Sequence, residues 1–217
     1  MIRNLTHTLN TNILRMVYFA YFQPIFQYGI ILGGNSTRAH QVFKQQKRVI
    51  RIMTGAGPRC SCRNLFKKLN ILPVPSRYIL SLMLFLIENQ QDFLTSAYVH
   101  DFDTRNKNHL YLPALSLSWV QKGVLYSGSK IFNNLPSNIQ DYKGDRKKFK
   151  KELKKYLTVH MFYSVAEFLE CKTSRRNIWR IIIVLMTGYL NTKCSISFIL
   201  YILCCCYVCI LYMFCVV

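Results

Sequence analysis

The sequence predicts a mainly α-helical fold: a small helical domain with a basic face, followed by a hydrophobic C-terminal helix. Three observations lead there. Apolar residues recur at three- and four-residue intervals through most of the chain, the mark of amphipathic helices. Lysine and arginine number 29 against 9 aspartates and glutamates, a net charge of +20. The final stretch, 194–217, carries no charge at all. The chain divides accordingly into a helical segment with a basic amphipathic helix (1–72), a helical extension (73–170) and a basic-flanked hydrophobic tail (171–217).

The N-terminus does not read as a signal peptide, because the polar run THTLNTN follows Arg3 and Pro24 interrupts the next apolar run. In that run Leu14, Val17, Tyr18, Tyr21, Phe22 and Ile25 fall at helical spacing and are expected in the core, with Pro24 kinking or restarting the helix. Residues 29–37 read as a turn, and Asn35 or Ser36 is placed to cap the next helix.

That next helix organises the chain. Over 42–69, VFKQQKRVIRIMTGAGPRCSCRNLFKKL, one helical face carries Lys44, Lys47, Arg48 and Arg51. The other carries Val42, Phe43, Val49, Ile50 and Met53, with Gln46 among them. Gly55 and Gly57-Pro58 stop the helix. A second basic unit follows, with Arg59, Arg63, Lys67 and Lys68 beside Leu65, Phe66 and Leu69. The first acidic residue of the chain is Glu88, so no carboxylate is at hand to pair these cations locally. Unpaired cations backed by apolar helices suit a surface that lies against phosphates.

Beyond Leu69, Pro73 and Pro75 frame a short extended link, and Ser76 is a plausible N-cap for a helix apolar nearly all round, hence central to the core. Glu88 to Asp92 turn its end toward water. His100, Asp101, Asp103 and His109 share a loop but match no ligand spacing, and Asp103 beside Arg105 reads as an ion-paired loop. Residues 121–135 read as a helix weakened by Gly123 and Gly128, where another element can pack closely. Asp145 caps RKKFKKELKKYL, whose Phe149, Leu153, Tyr156 and Leu157 form an apolar seam beneath seven cations, Lys147, Lys148 and Lys151 among them. Of nine cysteines, seven lie at or beyond Cys171; Cys60-x-Cys62 has no later partner pair at zinc spacing, and neither a disulfide framework nor a metal site is expected.

Several segments, in this order, carry a family likeness: YFQPIFQYGIIL, KQQKRVIRIMTG, SCRNLFKKL, PSRYILSL, TRNKNHLYLP, GSKIFNNLP, FKKELKKYL and FYSVAEFL. Together they resemble the C-terminal region of reverse transcriptases encoded by jockey-like non-LTR retrotransposons, over residues 9–170. The resemblance implies that 1–72 is thumb-like and that, in such proteins, an endonuclease and the polymerase fingers and palm come first. The parent polymerase would use Mg²⁺, held by paired carboxylates usually within F/Y-x-D-D; this chain has no such motif, so no catalysis and no cofactor are expected of it. The family usually has Trp where this chain has Gly33, which implies the loss of a large core ring.

The tail departs from the family. Lys172, Arg175, Arg176, Arg180 and Lys193 precede the uncharged run, and 194–217 is long enough to span a bilayer as a helix. With cations on one side it resembles a C-terminal anchor whose body faces the cytoplasm; AT-rich non-coding sequence read in frame yields the same residues. Two functions therefore stand. One is a catalytically incomplete polymerase remnant that contacts RNA or DNA backbone non-specifically, nuclear or cytoplasmic if the tail is silent. The other is a small, basic, tail-anchored membrane protein. The site residues expected for the first are Lys44, Lys47, Arg48, Arg51, Arg63, Lys67, Lys68, Lys147, Lys148 and Lys151.

Overall fold

The computed structural model describes residues 2–99 and 109–171. The described residues up to Leu169 form one compact unit. The described residues are mainly helical, with no strand among them, only an isolated antiparallel bridge between Thr95 and Leu110. The side chain of Asn133 completes that bridge: its Oδ1 accepts from the Leu110 N–H at 2.9 Å and its Nδ2 donates to the Leu110 carbonyl at 2.8 Å. His100, Asp101, Asp103 and Arg105 lie outside the described residues, as does the whole of the candidate membrane helix 194–217.

In chain order the helices are α1 (Ile2–Leu5), α2 (Thr11–Val17), a π-helical turn (Tyr18–Phe22), α3 (Gln23–Gln27), α4 (Ile30–Gly33), α5 (Ala39–Thr54), α6 (Arg63–Leu69) and α7 (Val74–Glu88). After these come α8 (Ser96–Val99), α9 (Ser118–Gln121), α10 (Val124–Asn133), α11 (Ser137–Gln140), α12 (Arg146–His160) and a last helix, α13, at 165–171. Helix α7 is the centre, and α4, α5, α10 and α12 pack against it. Its apolar residues go all the way round because every side of it is covered; Tyr78, Ile79, Leu80, Leu82, Met83 and Leu86 are all buried. Among the described residues no single helix is long and apolar enough to cross a membrane.

The entry to α7 corrects the expected extended link and cap. Pro75 sits in the first turn, where a residue without an N–H costs nothing, so the helix begins at Val74. Ser76 is therefore inside the helix and buried, and its hydroxyl donates to the Phe162 carbonyl at 3.1 Å. The Val74 N–H is instead satisfied from another helix. It donates to Gln46 Oε1 at 2.8 Å, while Gln46 Nε2 donates to the Leu72 carbonyl at 2.9 Å and the Tyr18 hydroxyl at 2.8 Å. Gln46 is 0% exposed with both ends of its amide engaged, so this buried polar group locks α5 to the segments on either side of it. Burial pushes the Tyr18 phenol up to about 12.

Pro24 acts through the π turn. The Gln23 N–H reaches back five residues to the Tyr18 carbonyl, and this wider register lets Pro24, which has no N–H, enter without breaking the helix. The extra residue rotates everything after it. Leu14 and Tyr18 are buried, and Phe22 and Phe26 pack partly against the same core. Tyr21 and Ile25, expected inside, are 61% and 79% exposed.

The next turn also differs from expectation. Residues 30–33 are helical, Ser36 donates its hydroxyl back to the Gly33 carbonyl, and Asn35 reaches Ser127, so neither residue caps α5. Gly33 has open space where a Cβ would stand, and it is exposed, so this position is on the surface and not in the core. At Gly34 a Cβ would collide with the Tyr78 ring and the Ile30 carbonyl. Gly55 ends α5 in the left-handed conformation at φ 66°, as expected. Gly128 faces Phe93, 2.9 Å from where a Cβ would sit, and that is the close packing its position in α10 suggested.

Candidate nucleic-acid interface

Helices α5 and α6 form the first basic region. Phe43, Gln46, Ile50 and Met53 bury one side of α5, against Phe66 and Leu69 of α6. On the other side, much of the charge is engaged. Lys47 Nζ lies 4.6 Å from the Phe43 ring centre and 5.8 Å from that of Tyr163. Arg51 Nε donates to the Cys60 carbonyl at 3.0 Å. Arg63 Nη2 meets Glu167 Oε1 at 2.9 Å, and its guanidinium lies 4.6 Å from the Tyr163 ring centre. The expectation of an unpaired run thus fails at Arg63, because a carboxylate 104 residues away in sequence folds onto it.

Glu167 has two tasks. Its Oε2 accepts from the Tyr163 N–H at 2.7 Å, and its own N–H donates to Ser164 Oγ at 3.0 Å. This is a capping arrangement at the start of α13, made with the carboxylate that holds Arg63. Tyr163 stands edge-on to Phe43 and Phe66, and burial raises its phenol above the ordinary tyrosine range. Beside it the Cys62 thiol is buried and likewise raised by desolvation, a structural thiol rather than a nucleophile.

Four residues expected in the interface here are exposed, with no ion pair among the described residues: Lys44, Arg48, Lys67 and Lys68. Lys44 lines a shallow surface depression with Gln41, Val42 and Gln45. Lys67 and Lys68 stand in the last turn of α6, where cations also favour the helix dipole.

Helix α12 is arranged differently. Its buried seam is Phe149, Leu153 and Leu157; Tyr156 is half-buried and meets His160 and Phe162 with tilted rings. Asp145 caps it as expected, Oδ1 accepting from the Lys147 and Lys148 N–H groups at 3.0 and 3.1 Å, and those bonds hold its carboxyl below the usual range. Arg146 pairs with Glu88 at the far end of α7, and Lys148 lies 3.6 Å from Asp145. Lys147, Lys150, Lys151, Lys154 and Lys155 are exposed and have no ion pair among the described residues. Three of these, Lys150, Lys154 and Lys155, belong to the seven cations over the apolar seam but were not among the expected site residues.

No acidic residue occupies the first turn of α12, while Arg146, Lys147 and Lys148 do. Cations at a helix N-terminus oppose the dipole, at about 0.3–1 kcal/mol each when exposed. Arg146 and Lys148 are offset there by Glu88 and Asp145, which leaves Lys147 as the first-turn cation with no ion pair among the described residues. The two basic regions meet at one corner: α12 leads directly into Phe162 and Tyr163, and Tyr163 packs on α5 and α6. Among the described residues no group of His, Cys, Asp and Glu could hold a metal ion. Comparison of the chain with protein-family models, curated proteins and solved structures finds no match to any of them.

Proposed function

We propose that the chain is a catalytically incomplete C-terminal fragment of a retrotransposon RNA-directed DNA polymerase, thumb-like in its first helices. Its retained capacity is sequence-independent contact with an RNA or DNA backbone. The observation that carries this reading is α12, a helix whose exposed face carries five lysines, Lys147, Lys150, Lys151, Lys154 and Lys155, with no ion pair among the described residues. A phosphate backbone is the partner that turns such a face from a cost into a gain, through counterion release. The missing F/Y-x-D-D motif is the reason no polymerase chemistry is assigned to the chain; Mg²⁺ would belong to the parent enzyme. The second reading, a basic tail-anchored membrane protein, rests on the uncharged run 194–217.

The test is the salt dependence of binding by the full chain, kept soluble in a neutral detergent. Engagement of about five phosphates gives a slope of log K against log salt near −4.5 on duplex DNA and near −3.5 on single-stranded RNA. Sequence-scrambled probes should bind alike. Binding that stays flat between low and physiological salt would overturn the backbone-contact reading.

A further inference from the structure

The π turn leaves one face of the N-terminal helices uncovered. Ile13, Met16, Tyr21, Ile25, Tyr28 and Leu32 are all exposed, Tyr28 at 99% and Leu32 at 81%. From Ile13 to Ile25 their spacing follows the helical repeat through α2, the π turn and α3, and Tyr28 and Leu32 follow in the turn after α3 and in α4. Single exposed apolar residues need no explanation, but six large ones in one stripe do.

We propose that this stripe is an interfacial binding surface for an anionic lipid bilayer. The charge around it selects that occupant. Residues 1–87 contain 12 cations and no acid, and exposed Arg3 and Arg38 bracket the stripe in the chain. Arg15, between Leu14 and Met16, lies over the Phe19 ring, 5.4 Å from its centre. An exposed apolar face in a segment whose only charges are cationic matches acyl chains and anionic headgroups. Tyr21 and Tyr28 have the amphipathic rings that favour the headgroup level. A second copy of the chain would bring its own charge of +20 against the first, which opposes self-pairing at this face. The uncharged run 194–217 is an independent reason, from sequence alone, for the chain to meet a bilayer. The stripe lies on the surface and does not span, consistent with the absence of any single described helix fit to cross.

The experiment uses the full chain with both native indoles removed, Trp119→Phe and Trp179→Phe, and one tryptophan returned. In one protein it is Tyr28→Trp on the stripe; in the other it is Asn138→Trp, exposed on α11. Each is mixed with vesicles of phosphatidylcholine and phosphatidylserine, or of phosphatidylcholine alone, carrying lipids brominated just below the headgroup. A tail anchor would tether both proteins equally, so the comparison reads the face itself. The Tyr28→Trp protein should be quenched at least about twofold more than the Asn138→Trp protein, and more strongly with phosphatidylserine. Adding Ile25→Glu and Leu32→Glu should remove the excess while helix content stays unchanged. Equal quenching at the two positions overturns the proposal. So does a concentration-dependent blue shift of the Tyr28→Trp protein without vesicles, which would assign the stripe to a second copy. Neither outcome bears on the salt dependence of nucleic-acid binding.

Discussion

Helices α5 and α12 are both basic and amphipathic, yet they hold their charge in opposite ways. On α5 and its neighbour α6, Lys47, Arg51 and Arg63 are turned onto rings, a carbonyl and a carboxylate. On α12, Lys147, Lys150, Lys151, Lys154 and Lys155 reach water with no ion pair among the described residues. The attachments differ as well. Helix α5 is keyed into the fold by a buried amide that joins Tyr18, Leu72 and Val74, whereas α12 rests on a wholly apolar seam. The number of cations on a helix is thus a poor guide to the charge it can offer a partner. What decides is whether the fold has already spent them on its own groups.

The largest effect expected from this contrast is on affinity. Changing Lys147, Lys150, Lys151 and Lys154 to Gln removes about four phosphate contacts. Duplex affinity should fall on the order of a hundredfold at physiological salt, and the salt slope should become shallower by about 3.6. The same change at Lys44, Arg48, Lys67 and Lys68 should cost less, and at Lys47, Arg51 and Arg63 least of all. Filter binding of the three variants across a salt series measures the order. Equal losses would mean that only total charge matters and would dissolve the distinction between the two regions.

Attachment gives the next effect, on stability. Gln46→Leu keeps the size of the side chain but strands the Tyr18 hydroxyl, the Leu72 carbonyl and the Val74 N–H in the core. Buried groups left without partners cost about 1–3 kcal/mol each, so a loss on the order of 3 kcal/mol is expected in urea unfolding. Leu153→Met, in the α12 seam, exchanges one apolar side chain for another of similar volume and should cost less than about 1.5 kcal/mol. If Gln46→Leu proved as mild as Leu153→Met, the amide would not be the key that the geometry makes it.

These differences mark where the sequence could be read and where it could not. Local signals held: Gly55 ends α5 because only a left-handed residue closes that turn, and Asp145 caps α12 through bonds two and three residues on. Helical phase held until Pro24, where the π turn added a residue and put Tyr21 and Ile25 outside. No periodicity analysis at a fixed 100° sees that shift. Partners distant in the chain were invisible: Gln46 serves the first N–H of α7, which made Ser76 unnecessary as a cap. Of the adjacent glycines 33 and 34, only the second is required by its surroundings, and nothing in the dipeptide itself tells them apart. In the interface, the charged residue types were legible, but which of them remain free was a property of the tertiary fold.

The smallest expected effect is the most pointed, because it converts one region toward the other. Glu167→Gln removes the charge that engages Arg63 while keeping a side chain that can still accept from the Tyr163 N–H, since Gln substitutes for Glu in such caps. The ion pair is over a third exposed on both sides, with 43% and 34% of the two side chains accessible. Solvent screening therefore limits its worth to less than about 1 kcal/mol, and the unfolding midpoint should barely move. Affinity for nucleic acid should instead rise, a few-fold at low salt, and the duplex slope should steepen by about 0.9 as Arg63 gains a phosphate. Arg63→Gln alone should leave both nearly unchanged, because that guanidinium is already occupied. A clear loss of binding in Arg63→Gln with none of the gain in Glu167→Gln would show that Arg63 engages phosphate despite its carboxylate, and that the pair seen between α6 and α13 does not govern how this corner meets its partner.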